Sequence, residues 1–408
     1  MGFEGLEIKM ATDSFDDKLG VLKEGAVLGQ HALDSSEMRK VISRRRLLKQ
    51  AGGAIKTGIF SAVMAEFLAA ESRACENGTG GDAATAKTSI SGKTPISLII
   101  DDGAPVDPLF YEIPGYETPF LVPAEFTRRV AETVDRFDLR GKITIIPMPS
   151  CLGRIDQSLK RVPKDHLEAF LKLVRERIAP RFDITPEFLT HLRAYNLKTG
   201  EFQHIYEDVW ISQAPLEEIV KYFVLAFTIL KNVGLAATGI TSPWVSGIDV
   251  EKKYAQALAE AQWKTFERKL TWYFLHMTGW GKPRQCSVEY ETPERGQVVV
   301  SVPANAKDIF WSMERPSRAE RLRFINDGID RVVSADGRSG RIRELIESGH
   351  PVVLLTHWQS LYTQGSALGL DGLCTLAERI QKVFGSNLEW VPCSELARRY
   401  VSSGIPKS

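Results

Sequence analysis

With 408 residues, a net charge of +1 and ordinary apolar and charged fractions, the chain can bury a large core in one or two domains. The near-neutral balance excludes the strongly basic surface expected of a nucleic-acid or anionic-membrane binder. Five scattered cysteines without a C-x-x-C pair exclude a zinc knuckle and a dithiol redox motif, while leaving a Cys374–Cys393 disulfide open.

Residues 1–42 are polar and aperiodic. They precede Ser43-Arg44-Arg45-Arg46-Leu47-Leu48-Lys49 and an apolar stretch broken by Lys56 and Glu66. That order resembles a bacterial twin-arginine export signal, with Leu47 where Phe is usual, and implies export by the twin-arginine translocase to the periplasm or beyond. The interrupted stretch is too weak for a permanent membrane span. Ser72-Arg73-Ala74 offers a cleavage site, and Cys75 a minor lipidation option. Residues 75–93 read as a Gly/Ala/Thr/Ser linker, so the expected division is 1–74 signal region, 75–93 linker and 94–408 folded domain.

The domain should begin with TPISLIIDDGAPV (94–106), whose unbroken apolar run predicts a strand buried on both faces, ending at Asp101-Asp102-Gly103. Helical spacing follows over 125–137, a strand over 142–147 and a helix over 166–178. Then come a polar segment FLTHLRAYN, a helix over 216–233, a strand with its loop over 235–244, and a helix over 250–268. Strands over 270–277 and 297–302, a helix over 342–348, a buried strand over 351–356 running into His357-Trp358, and a helix–strand–helix close (373–384, 388–391, from 394) complete the pattern. Repeated strand–helix units predict an α/β fold, a deformed (β/α) barrel of mainly parallel strands. Active sites of such folds collect at the carboxyl ends of the strands. Adjacent carboxylates there should have pKa values split apart, one suited to a cation and one to a proton.

Three polar landmarks stand at expected strand ends: Asp101-Asp102, His191 and His357, with Thr241-Ser242-Pro243-Trp244 as a fourth. This order resembles the polysaccharide deacetylases of the NodB homology family. Leu98–Gly103 matches their Asp-Asp-Gly motif, Thr190–Tyr195 half of His-x-x-x-His, Ser242-Pro243-Trp244 the Pro-Trp motif, and Leu355-Thr356-His357 the late Leu-x-His. The resemblance implies a metal-dependent hydrolase acting on N- or O-acetyl groups of a carbohydrate. Asp102 and His191 would ligate a divalent cation, zinc by analogy; Asp101 would be the general base and His357 the general acid. Trp244, Trp358 and Tyr195 would contact the sugar. Tyr195 stands where a second metal histidine is expected, so that Asn196, His204 or no further ligand completes the set, and the arginine of the third motif has no obvious counterpart. A glycan-binding barrel without turnover, or another carbon–nitrogen or glycosidic hydrolase, fits the same pattern. His31 lies in the signal region, His166 opens a helix as a solvated residue, His276 sits in an aromatic strand as a core residue, and His350 in a turn. Gly337–Gly340 is too short for a phosphate loop.

Overall fold

The computed structural model describes residues 92–108, 121–312, 315, 317–363 and 365–403. The twin-arginine segment, its cleavage site, Cys75 and nearly all of the linker lie outside the described residues. No helix among the described residues is long and apolar enough to cross a membrane.

The first strand, β1 (Thr94–Gly103), is buried from Ile96 to its end, as its unbroken apolar run requires. Next come α1 (Ala124–Arg136), β2 (Gly141–Ile145), α2 (Lys164–Leu173) and β3 (Phe182–Thr185). A hairpin of β4 (Arg193–Asn196) and β5 (Glu201–Tyr206) leads through α3 (Glu207–Gln213) to α4 (Leu216–Asn232) and β6 (Gly239–Thr241). α5 (Glu251–Phe266), β7 (Leu270–Phe274), β8 (Ser287–Thr292) and β9 (Gln297–Ser301) follow. The chain then forms α6 (Arg318–Val332), α7 (Arg341–Glu347), β10 (Val352–His357), α8 (Leu368–Phe384), β11 (Leu388–Trp390) and α9 (Cys393–Ser402).

One sheet has the order β10-β1-β2-β3, all parallel, with β11 paired to the start of β1. The second has the order β8-β9-β7-β6, parallel except for the β8–β9 pair. Their edges meet at two hydrogen-bonded seams. At one, Thr238 and Thr241 donate backbone N–H groups to Ile184 and Pro186, and Glu187 bridges Thr241 in parallel. At the other, Asn305 and Ala306 donate to the Val353 carbonyl. The arrangement is an interrupted ring of mainly parallel strands with helices outside, the α/β architecture read from the sequence.

Strand alternation then decides what faces the interior. On β1, Ile99 shares a core cluster with Val353 and Leu355 of β10, Val300 of β9 and Trp272 of β7, closed below by Cys393 and Leu396 of α9. Asp101, two residues after Ile99, lies on that same inward face and pairs in register with His357. The outer face packs against helices such as α1, which buries Phe126, Val130 and Val134 at four-residue spacing.

Several elements differ from expectation. α8 begins at Leu368, five residues earlier than its apolar spacing suggested, because Gly369 packs a Cα against the Ser360–Leu361 backbone where a Cβ would stand 2.0 Å from the Ser360 carbonyl oxygen. α6 was not expected. It is announced by a capping box in which Ser317 Oγ accepts from Glu320 N at 3.2 Å and Glu320 accepts from Ser317 N at 3.1 Å. No disulfide joins Cys374 to Cys393: the first sits 3.3 Å from Thr133 Oγ1, the second 3.3 Å from Ser97 Oγ, and both are free thiols. His166 is half-buried, with Nε2 2.9 Å from the Pro105 carbonyl oxygen, so it tethers the segment after β1. His276 is held by Glu251 at 2.7 Å, in keeping with a hydrogen-bonded packing role.

Candidate functional site

At the carboxyl end of β1 the backbone turns at Asp102, whose φ of 63° lies in the left-handed region that non-glycine residues seldom adopt. His191 adopts the same φ, and Trp244 a φ of 51°. Such conformations persist only where surrounding contacts hold them, and they gather at functional sites. Here they aim side chains at one another. Asp102 Oδ1 lies 3.0 Å from His191 Nε2, which lies 3.4 Å from Glu187 Oε1, while Asp102 N donates to Glu187 Oε2 at 3.2 Å. The Gln359 amide donates to Asp102 Oδ2. Glu207, at the start of α3, secures the turn between Glu187 and His191: its Oε1 accepts from Leu189 N and Thr190 N at 3.0 Å each and from Tyr222 Oη at 2.7 Å.

Among the described residues, Asp102, Glu187 and His191 are the one group of three such side chains whose donor atoms all lie within 4.8 Å of one another, and all three are buried. Crowding two carboxylates there has opposite effects on them. Burial would raise the Asp102 carboxyl, but the His191 charge and hydrogen bond outweigh it and hold it well below the usual carboxylate range. Burial pushes Glu187 well above its ordinary value, and the charges of Asp102 and Asp101 add to that. Burial would lower His191, yet Asp102 wins and raises it. His191 Nδ1 is buried without a hydrogen-bond partner. Two carboxylate oxygens, one imidazole nitrogen and concentrated negative charge fit a divalent cation. These three residues would hold it.

Asp101 faces a different partner. Lys142, fully buried on β2, donates to Asp101 Oδ1, to Thr144 Oγ1 at 2.9 Å and to Thr241 Oγ1 at 2.6 Å, which satisfies all three ammonium hydrogens. Thr144 Oγ1 also donates to Asp101 Oδ1 at 2.8 Å. The ammonium lies 4.9 Å from the centre of the Phe274 ring. A buried ion pair with every donor used fixes Asp101 firmly, and leaves its second oxygen available.

Across the β1–β10 ladder, His357 Nδ1 sits 2.7 Å from Asp308 Oδ2. Ser360 Oγ donates to the same oxygen at 2.6 Å, and Phe310 N donates to Asp308 Oδ1 at 2.8 Å. Burial would depress the imidazole pKa, but the Asp308 bond and charge, helped by Asp102 and Asp101, lift it to about 9. The His357 side chain keeps 23% of its surface open to solvent. Trp311 stands edge-on to its ring at 5.3 Å.

Of the aromatic residues expected to meet a sugar, only Trp244 borders this group: its ring lies 4.9 Å from that of His191 and 6.0 Å from that of Tyr206. Trp358 is 1% exposed and packs against Phe126 and Phe170, in the core between the ring and the helices. Tyr195 lies on the β4–β5 hairpin with its ring against Phe202, and the carboxylate that joins Asp102 and His191 comes instead from Glu187, four residues before His191. Glu-x-x-x-His spacing could have revealed Glu187. The lysine inside the otherwise apolar KITII run was a second signal, since a buried lysine demands an acid. Asp308, Trp311, Glu207 and Gln359 carried no local signal.

No protein-family model and no curated protein matches this chain. Among solved structures, a protein from Mycobacterium smegmatis described as a polysaccharide deacetylase aligns at 12% identity and TM-score 0.47, over 80% of this chain and 96% of its own. A Parabacteroides distasonis protein described as a glycoside hydrolase/deacetylase aligns at 13% identity and TM-score 0.41, over 76% and 72%. A peptidoglycan N-acetylglucosamine deacetylase aligns at 13% identity and TM-score 0.37, over 75% and 89%. These are structures the chain is similar to at 12–13% identity.

Proposed function

We propose that the chain is a metal-dependent hydrolase that removes N- or O-acetyl groups from a carbohydrate after export from a bacterial cell. The observation that supports this best is the placement, at one strand-end cluster, of three separately held functions. These are the Asp102–Glu187–His191 donor set, the Lys142-bound carboxylate of Asp101 and the Asp308-bound imidazolium of His357. A bound divalent cation supplies polarisation of the acyl carbonyl and acidification of a water. Asp101 accepts the proton of the attacking water through its second oxygen, and Lys142 keeps that carboxylate in place. His357, charged through Asp308, donates a proton to the departing amine or alcohol. Trp244 and Trp311 offer apolar faces on which a sugar ring rests.

The test is acetate release from N- and O-acetylated oligosaccharides by the metal-loaded protein. Asp101→Asn and His357→Ala should each lower turnover by about 10²–10⁴-fold while keeping the metal. Asp102→Ala and His191→Ala should lose the metal. Binding of glycans with no acetate released would replace this reading with that of a glycan-binding barrel. Export is tested apart from catalysis: Arg44→Lys with Arg45→Lys should retain the protein in the cytoplasm.

A further inference from the structure

We propose that Glu187 tunes the centre toward hard, oxygen-preferring divalent cations of the manganese and magnesium kind and away from zinc. The inference rests on the reading above, because it concerns the same cation. Carboxylates and waters suit magnesium and manganese, whereas imidazole and thiolate strengthen zinc and copper. Two of the three donors here are carboxylates, and each is already engaged at one oxygen. Asp102 Oδ2 accepts from the Gln359 amide, and Glu187 Oε2 accepts from Asp102 N at 3.2 Å.

That leaves one oxygen from each, Oδ1 and Oε1, facing the single imidazole nitrogen at 3.0 and 3.4 Å. Three single-atom donors leave the remaining positions of the ion to water and substrate, and two of the three are the carboxylate oxygens that magnesium and manganese prefer.

The experiment compares Zn²⁺ and Mn²⁺ affinity of the metal-stripped full-length chain by competition against a fluorescent chelator, with circular dichroism to confirm folding. It uses the wild type, Glu187→His and Glu187→Gln. The Glu187→His change should shift the ratio of zinc to manganese affinity toward zinc by about tenfold. Glu187→Gln, which keeps the shape and removes the charge, should weaken Mn²⁺ binding by about tenfold or more. Pulsed electron paramagnetic resonance of bound Mn²⁺ should show one imidazole nitrogen in the wild type and two in Glu187→His. An unchanged ratio in Glu187→His, or unaltered Mn²⁺ affinity in Glu187→Gln, overturns the inference while leaving the hydrolase reading intact. A wild type that binds neither ion overturns both.

Discussion

Replacing Asp308 by asparagine keeps the shape of the group beside His357 and removes its charge. In the native chain burial opposes the imidazolium, and the Asp308 bond and charge overcome it, so the pKa rises from the ordinary 6.5 to about 9. At 1.36 kcal/mol per pH unit, that difference corresponds to at most about 3 kcal/mol; the solvent-exposed quarter of the side chain reduces it to roughly 2. The sign follows from linkage. His357 is protonated more readily folded than unfolded, so its contribution is fully present below pH 6.5 and disappears as pH rises through about 9. In Asp308→Asn the imidazole pKa should fall by about 1–3 pH units, back toward its ordinary value. Nuclear magnetic resonance titration of the ring carbons reads this directly, with no substrate required. Urea denaturation supplies an independent reading: the variant should be less stable than wild type by roughly 2 kcal/mol at pH 6, a gap that closes by pH 10. If His357 still titrates near 9 in Asp308→Asn, the field of Asp101 and Asp102 holds the proton and the assignment of Asp308 is wrong.

Lys142→Met should destabilise the chain by about 3–5 kcal/mol, because it strands the buried Asp101 carboxylate. Adding Asp101→Asn should recover much of that loss in denaturant titrations, whereas additive losses would mean that the pair is not coupled. Glu207→Gln should loosen the turn at 189–190 and weaken metal affinity about 10–100-fold, measured by chelator competition, with Asp102 and His191 still present. Trp358→Ala should cost about 3–5 kcal/mol of stability, as a core truncation does. Trp244→Ala should instead raise KM for the acetylated glycan with a far smaller change in stability.

The apolar run into Asp101-Asp102 was enough to place β1, and the PVVLLT run enough to place β10, because strands covered on both faces need no alternation to be recognised. Asp101 and His357, each expected at a strand end, are register partners in the structure. The donor set was harder to read. His191 stood out as a histidine near a strand end, yet its partner was sought four residues after it, at Tyr195, rather than four before. The backbone decides the matter: β3 ends at Thr185, and the turn held by Glu207 brings 187 and 191 together, while 195 already belongs to the hairpin. The cation beside Asp101 comes from the neighbouring strand β2, and only the inward alternation of two adjacent strands brings Lys142 to Asp101. Asp308 lies on a connection outside any strand or helix, where no periodicity marks a residue.

The hydrogen bond from Gln359 to Asp102 spans 257 positions of the chain. Asp308, Ser360 and the β10 strand that carries His357 likewise come from its last third. A chain emerging from the ribosome therefore carries Asp102, Glu187 and His191 long before it carries Gln359, which holds the second oxygen of Asp102. Partly synthesised protein should bind cations loosely and without discrimination, and selective loading should begin only once β10 has docked beside β1.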